Sequence, residues 1–351
     1  MKFKVNNSVS IAHADNRAFL DAMKAKGIVG VHAMNALPPM ITAANINAPL
    51  GALNYIRPEA IEVLVAPQVA DKIATASKNG AWGDKSVTIK IKEYTGATAP
   101  DDGLTSDGHQ VKTNYENALR GVYYYTTGWL ATDLEEATVG SFQENYRADQ
   151  ATAAMRTLAI DRNKFFFTGV ETASADLPIY GLLNDPHLTN YTTAAVGAGG
   201  SSAWENKTPE EIYNDIVDAM ALVNTQSSGL SAEGVANGRG KYILAVASDS
   251  EQLLGRGNSY GVTARKLLKE QYGDKIEIVP VPQFNNANSA SDVFYLIYVG
   301  EVPTILNSYV EMAKAYPIYQ KDSVVSQKIS AATSGCVVQY PMFIARVTGI
   351  S

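Results

Sequence analysis

The chain has 351 residues, 46% hydrophobic and 18% charged, which is enough for one large core or for two domains. A formal net charge of −6 excludes the broad basic surface that grips nucleic acid, and a single cysteine, Cys336, excludes an intrachain disulfide framework and a multi-cysteine zinc site. The opening MKFKVNNSVSIAHADNRAF lacks the apolar run of a signal peptide and no stretch approaches a membrane span, so a soluble protein made in a cytoplasm is expected.

Residues 1–57 hold little that reads as core. A short amphipathic helix is expected at Asn16–Lys26, with Phe19, Leu20 and Met23 on one face. The Gly, Asn, Ala and Pro-rich stretch after it is apolar but has neither helical nor strand period. Such a segment is expected to lie along something else, as an extended arm does. From Pro58 the chain becomes regular. EAIEVLVAP reads as a strand or short helix, and QVADKIATASKNG as a helix ended by Gly80. Ser86–Tyr94 alternates, with Val87, Ile89 and Ile91 on one face and Thr88, Lys90 and Lys92 on the other. A turn-rich tip follows, then a second extended run from Val111 through GVYYYTTGWLA. The two runs predict a long projecting hairpin, which as a two-stranded ribbon is expected to rest on something else.

Thr132–Gly169 is the organising stretch, free of proline and with Gly140 as its one internal glycine. Thr132 and Glu135 form a capping-box pattern, and Asp133, Glu135 and Glu136 crowd the start. As one rod it would be about 50 Å long at ~1.5 Å per residue, with Gly140 the place for a kink or a delayed start. A Gly, Ser and Thr-rich linker near 190–204 then marks a boundary. Thr208-Pro209-Glu210-Glu211 opens a strong helix that buries Ile212, Ile216, Met220 and Val223 and ends near Gly229. SAEGVANGRG reads as a loop, KYILAVAS as a buried strand, and Ser248-Asp249-Ser250-Glu251 as another capping box. Val262–Tyr272 reads as a helix stopped by Gly273, and KIEIVPVPQF and DVFYLIYVG as strands. That succession is a compact α/β domain. The C-terminal part from about Leu306 to Ser351 is β-rich and is expected to pair with strands flanking the long helix.

Catalytic constellations are scarce. His13, His32, His109 and His187 are scattered in loop-like stretches, with no metal-ligand partner at i+3 or i+4. Cys336 beside Val337 and Val338 reads as a buried structural thiol. Gly255-Arg256-Gly257-Asn258-Ser259-Tyr260-Gly261 follows a helix, not a strand, and its spacing fails the nucleotide-loop patterns. Asp101, Asp102 and Asp107 could hold calcium, but a hairpin tip explains them without an ion. No catalytic, cofactor or metal residue is assigned. What remains is a plan made for contact.

This order of parts resembles the major capsid protein of tailed bacteriophages, the Hong Kong 97-type shell fold. The local pattern Ile160-Asp161-Arg162-Asn163-Lys164-Phe165-Phe166-Phe167-Thr168-Gly169, followed by Tyr180-Gly181-Leu182-Leu183-Asn184, resembles that family's sequence at the end of its spine helix. The resemblance implies an α+β fold with an N-terminal arm at 1–57. It implies a peripheral domain at 58–207 and 306–351, including an extended loop at 83–128 and a spine helix at 132–167, and an inserted axial domain at 208–305. It implies a non-enzymatic subunit that self-assembles through pentamers and hexamers into an icosahedral shell around double-stranded DNA, without sequence-specific binding. A scaffolding protein, a portal and a decoration protein are the implied partners, with assembly in the bacterial cytoplasm and residence in the virion. Some family members cross-link an extended-loop lysine to an asparagine of a neighbour. Lys85, Lys90, Lys92 and Lys112 lie in that region, but neither the partner asparagine nor the catalytic acid has a signature here. An encapsulin-like compartment, a soluble enzyme built on 208–305, and a binding module such as a tail or surface protein are the alternatives.

Overall fold

The computed structural model describes residues 68–96, 98, 111–140, 145–171 and 177–351. The arm 1–57 with its expected helix, the stretch 59–67 and the hairpin tip with Asp101, Asp102 and Asp107 lie outside the described residues, as do His13, His32 and His109.

The alternating run becomes strand β2 (Ser86–Thr95), paired antiparallel with β3 (Lys112–Gly121) from Ser86 opposite Gly121 to Thr95 opposite Lys112. Together they form a two-stranded sheet of their own. The next strand, β4 (Tyr123–Thr132), runs antiparallel to the long β11 (Val324–Val338). β11 also pairs with β9 (Ile305–Ala315) and β10 (Tyr319–Lys321), and β9 pairs in parallel with β1 (Thr75–Lys78). One face of this sheet packs on helix α3 (Tyr146–Thr168) through Trp129, Ala131, Ile329 and Ala331 against Ala154 and Leu158.

The second large sheet has the order β5-β12-β8-β6-β7, with β5 at Thr192–Thr193, β6 at Lys241–Ala247, β7 at Ile276–Val281, β8 at Val293–Val299 and β12 at Ile344–Thr348. Both of its faces are covered. Ile212, Ile216 and Val223 of helix α4 (Pro209–Gln226) and Leu268 of α7 (Ala264–Tyr272) pack against Leu244, Val246, Phe294 and Leu296. On the other face Phe166, Phe167, Leu182 and Phe284 pack against Ile243, Ala245, Tyr295 and Ile297. Burial on two faces is why β6 and β8 read as unbroken apolar runs and not as alternating ones.

Helix α4 starts as its sequence dictates. The Thr208 hydroxyl accepts from the Glu211 backbone N–H (3.3 Å), and the Glu211 carboxylate accepts from the Thr208 N–H (2.8 Å). Hydrogen bonds from the Ala198 and Thr208 N–H groups hold the Glu211 carboxyl below its ordinary value of 4.5. A pKa lowered on folding contributes stability above the ordinary value, and that contribution is lost as the pH falls through the lowered one. Thr208→Ala is expected to cost about 1 kcal/mol, read as a lower denaturation midpoint at neutral pH. An unchanged midpoint would mean that the cap contributes nothing.

Several expectations are corrected. The helix foreseen over 68–80 is only α1 (Ala70–Ile73), because the chain turns extended at Ala74 and Thr75–Lys78 is drawn into parallel pairing with Leu306–Tyr309. The long rod is two helices, α2 (Asp133–Gly140) and α3, and the second has its own cap, the Asn145 side chain accepting from Ala148 N–H at 3.3 Å. The capping box at Thr132 and Glu135 is present, but it starts the short helix. The second extended run divides at Val122, and Tyr123–Thr132 leaves the hairpin for the β11 sheet. The loop expected over 231–240 is in its first part helix α5 (Leu230–Ala236), and α4 stops at Gln226. Helix α6 (Ser248–Glu251) forms without the box expected at Ser248: the Ser250 hydroxyl donates to Asp292 (2.7 Å), and Glu251 pairs with Arg265. Of the C-terminal strands, β11 pairs with β4, and β9 and β10 join the same sheet through β11, as expected, whereas β12 pairs antiparallel with β8.

Candidate functional site

The feature that no packing among the described residues explains is the β2–β3 ribbon. Residues opposite one another in an antiparallel pair share a face. One face therefore carries Val87, Ile89, Ile91 and Ala118 with Glu93 and Glu116. The other carries Lys90, Lys92, Tyr94, Tyr115 and Leu119. Tyr94 and Tyr115 are 68% and 72% exposed, and Ile91 and Leu119 are about half exposed. Burial is complete only at the root, at Arg120 and Gly121. The Lys92 ammonium sits over both tyrosine rings, 4.7 Å from Tyr94 and 5.8 Å from Tyr115.

The root is anchored on the segment 177–188. The Arg120 guanidinium donates to the Asp185 carboxylate at 3.1 Å, both side chains being nearly inaccessible, and stacks 4.6 Å from the Tyr180 ring. Asp185 also accepts from the His187 backbone N–H (3.0 Å) and contacts the His187 ring at 2.8 Å. Gly121 N–H donates to Pro178 C=O (3.2 Å). The same segment closes helix α3. Its terminal carbonyls would otherwise be orphaned. Phe165 accepts from Gly169 N–H, Phe166 from Leu182 N–H, Phe167 from Leu183 N–H, and Thr168 from the Asn184 side chain (2.9 Å). On its other side Tyr180 C=O accepts from Cys336 N–H at 3.0 Å. One loop thus ties ribbon, helix and β11 together.

The chemical candidates are dispersed. His187 is at the root, its ring largely in solvent and engaged with Asp185. Cys336 is fully buried, and burial pushes its thiol well up. Desolvation likewise raises Tyr125 to about 12, with Arg162 opposing and Asp161 adding to the shift. The 255–261 loop is folded on itself, the Asn258 side-chain oxygen accepting from Tyr260 N–H (2.9 Å) and Val262 N–H (3.0 Å). Asp133, Glu135 and Glu136 sit at the α2 start, where Glu136 also pairs with Arg147 (2.6 Å). Lys85, Lys90, Lys92 and Lys112 are exposed, three of them on the ribbon strands. Among the described residues no group of three or more His, Cys, Asp or Glu gathers to hold a metal, and no helix is long and apolar enough to cross a membrane. Sequence reasoning missed Arg120, Asp185 and the close approach at Gly181. The Gly-Leu-Leu-Asn run was visible, but nothing in it announced that it would cap the helix.

Residues 39–349 match the family described as Pa193 gp26 major capsid protein. The chain belongs to this family. Solved structures place the fold alongside those of other capsids. The capsid protein of Myoviridae phage XM1 superposes with a TM-score of 0.66 at 12% identity, over 85% of this chain and 97% of that one. The capsid of an empty GTA particle gives 0.56 at 12% identity, over 85% and 96%. The mature capsid of bacteriophage PhiM1 gives 0.51 at 12%, over 84% and 91%. No curated protein matches the chain by sequence. The expected Hong Kong 97-type capsid fold is therefore the fold of this chain. It is a major capsid protein, the self-assembling subunit of an icosahedral phage shell.

Proposed function

We propose that α3 serves as the spine of the subunit and the β2–β3 ribbon as its extended loop. Residues 58–207 and 306–351 would form the peripheral domain, 208–305 the axial domain, and 1–57 an arm reaching neighbouring subunits. The shell encloses double-stranded DNA without reading its sequence, and it is built in the bacterial cytoplasm with a scaffolding protein and a portal. The observation that carries this reading is the ribbon. A two-stranded sheet exposing Tyr94, Tyr115, Ile91 and Leu119 is barely stable in water and calls for cover from other copies.

Subunits of a closed shell bind weakly at each contact and many times over, so each reaching element multiplies the total. The net charge of −6 suits a container that must not hold packaged DNA tightly. The test is electron microscopy of the chain expressed alone and with its neighbouring genes. Closed particles, or pentamers and hexamers that convert to them, are expected. Deletion of residues 1–50 is expected to leave soluble subunits that do not close. Normal shells from the truncated chain would remove the arm from the assembly scheme.

A further inference from the structure

An asparagine followed by glycine is a labile step in any polypeptide. The glycine nitrogen has no side chain beside it, so it can reach the asparagine side-chain carbonyl carbon and close a succinimide ring. The backbone must turn for this to happen, and the side-chain amide must be free to meet it. A folded chain protects such a step by holding the turn and engaging the amide. This chain has two, Asn79-Gly80 and Asn237-Gly238, and the fold treats them oppositely.

Asn79 is held by backbone and side chain alike. Its backbone N–H donates to Tyr309 C=O (2.8 Å), its side-chain amide donates to the Ser308 hydroxyl (2.9 Å), and its side-chain oxygen accepts from the Ser77 hydroxyl (3.3 Å). Ser308 is itself fully buried and bonded to the Ser334 hydroxyl (2.7 Å). The step directly follows β1, which is fixed by its pairing with β9. Asn237 differs on each count. It is the exposed C-cap of α5, a helix of seven residues, and its side chain has no hydrogen-bond partner among the described residues. Gly238 has φ +70°, and nothing lies within 4 Å of where a Cβ would be. The turn is held by bonds at the helix end, from Gly238 N–H to Val235 C=O (3.2 Å) and from Arg239 N–H to Gly234 C=O (2.9 Å). Bonds in that position fray.

We propose that Asn237 is a self-modification site that converts to isoaspartate and aspartate, with water as the one co-reactant. The Gly238 nitrogen loses its proton to water and bonds to Asn237 Cγ, while the Cγ–Nδ2 bond breaks and ammonia leaves. Water then opens the succinimide. Cleavage at Cγ leaves aspartate, and cleavage at the main-chain carbonyl leaves isoaspartate, whose backbone runs through Cβ and Cγ. Either product adds one negative charge close in the chain to Arg239, whose guanidinium holds a loose, exposed pair with Glu301 at 3.7 Å. Isoaspartate also lengthens the main chain between Gly234 and Gly240. A Cβ at either glycine would collide with the Tyr298 hydroxyl, so both flanking segments lie directly on that side chain, and the longer chain would shift its seat.

The test needs the purified full-length subunit and does not depend on shell formation. The folded protein is held in warm, mildly alkaline buffer, and its peptides are followed by mass and by enzymatic methylation of isoaspartate. Asn237 is expected to convert at least about tenfold faster than Asn79, because Asn79 must first give up its side-chain hydrogen bonds. In denaturant, where neither step is held, the two are expected to convert at like rates. Asn237→Gln keeps an amide but demands a larger ring, and is expected to melt with the parent while its peptide gains no mass. Equal rates at the two steps in the folded chain would overturn the site, as would an Asn237 that keeps its amide when folded and loses it in denaturant. Conversion to aspartate with no isoaspartate would overturn the Gly238 nitrogen as the nucleophile, and the proposal with it.

Discussion

Replacing Gly181 by alanine is expected to prevent this subunit from folding, or to lower its stability by at least about 3 kcal/mol. A Cβ at Gly181 would collide with the Gly169 backbone nitrogen and with the Phe167 carbonyl. Both are main-chain atoms, fixed by the helix end on one side and by hydrogen bonds to Leu182 and Leu183 on the other. No side chain can swing away to make room, so the clash must be relieved by separating the 181–184 segment from α3. That would uncover the carbonyls of Phe166, Phe167 and Thr168, and each buried carbonyl left without a donor costs about 1–3 kcal/mol. Phe166 and Phe167 are themselves fully buried against the α/β sheet, so the displacement would reach the core. The measurement is soluble yield together with the Tm of the unassembled subunit, beside Gly255→Ala, where an added Cβ meets nothing within 4 Å. A Gly181→Ala subunit that melts with the parent would show that the close approach is not needed.

Gly169 is the companion constraint. It has φ +68°, and a Cβ there would lie 2.5 Å from Ile179 C=O. Together these two glycines explain why an aromatic run, a glycine and a later Gly-Leu-Leu-Asn occur as one pattern. The Asn184 side chain completes it by accepting from Gly181 N–H (2.6 Å) while donating to Thr168 C=O (2.9 Å).

The parts of the fold legible in the sequence are those whose signal is local. The Thr208–Glu211 box, the Val87–Ile91 alternation and the Gly273 stop each depend on neighbours within a few residues, and each forms as read. What was misread is decided at long range. Thr75–Lys78 becomes a strand because Leu306–Tyr309 lies beside it. Tyr123–Thr132 leaves the hairpin because β11 offers a partner along its whole length. β12 joins the α/β sheet because β8 has an open side for it, a choice that no pattern inside Ile344–Thr348 records. The helix Leu230–Ala236 carries a glycine, Gly234. It is present because a side chain there would strike the Tyr298 ring. The contact surface was legible as a ribbon in need of cover, whereas its anchor was not, since Arg120 and Asp185 are separated by 64 intervening residues.

Asp185→Asn is expected to destabilise the subunit by about 3–5 kcal/mol and to loosen the ribbon before anything else. The reasoning is electrostatic. Arg120 and Asp185 have side-chain exposures of 6% and 0%, and the guanidinium Nε has no partner among the described residues. Neutralising Asp185 leaves a buried cation whose main compensation is the face of Tyr180. That cation can regain water only by pulling away from the 177–188 segment, and since Arg120 is the one buried charged residue of the ribbon, β2 and β3 must move with it. Hydrogen exchange is therefore expected to rise across 86–95 and 112–121 more than across β6 and β8, which are held on both faces. The pair is a positioning device more than a source of net stability, because desolvation consumes most of its Coulombic gain. The double variant Arg120→Met with Asp185→Leu should accordingly recover most of the lost stability, with the apolar pair filling the space beside Tyr180. If exchange in the ribbon stays at the parental level in Asp185→Asn, the ion pair does not set the ribbon's root, and the backbone bonds from Gly121 to Pro178 and from Val122 to Lys85 (3.0 Å) must hold it unaided.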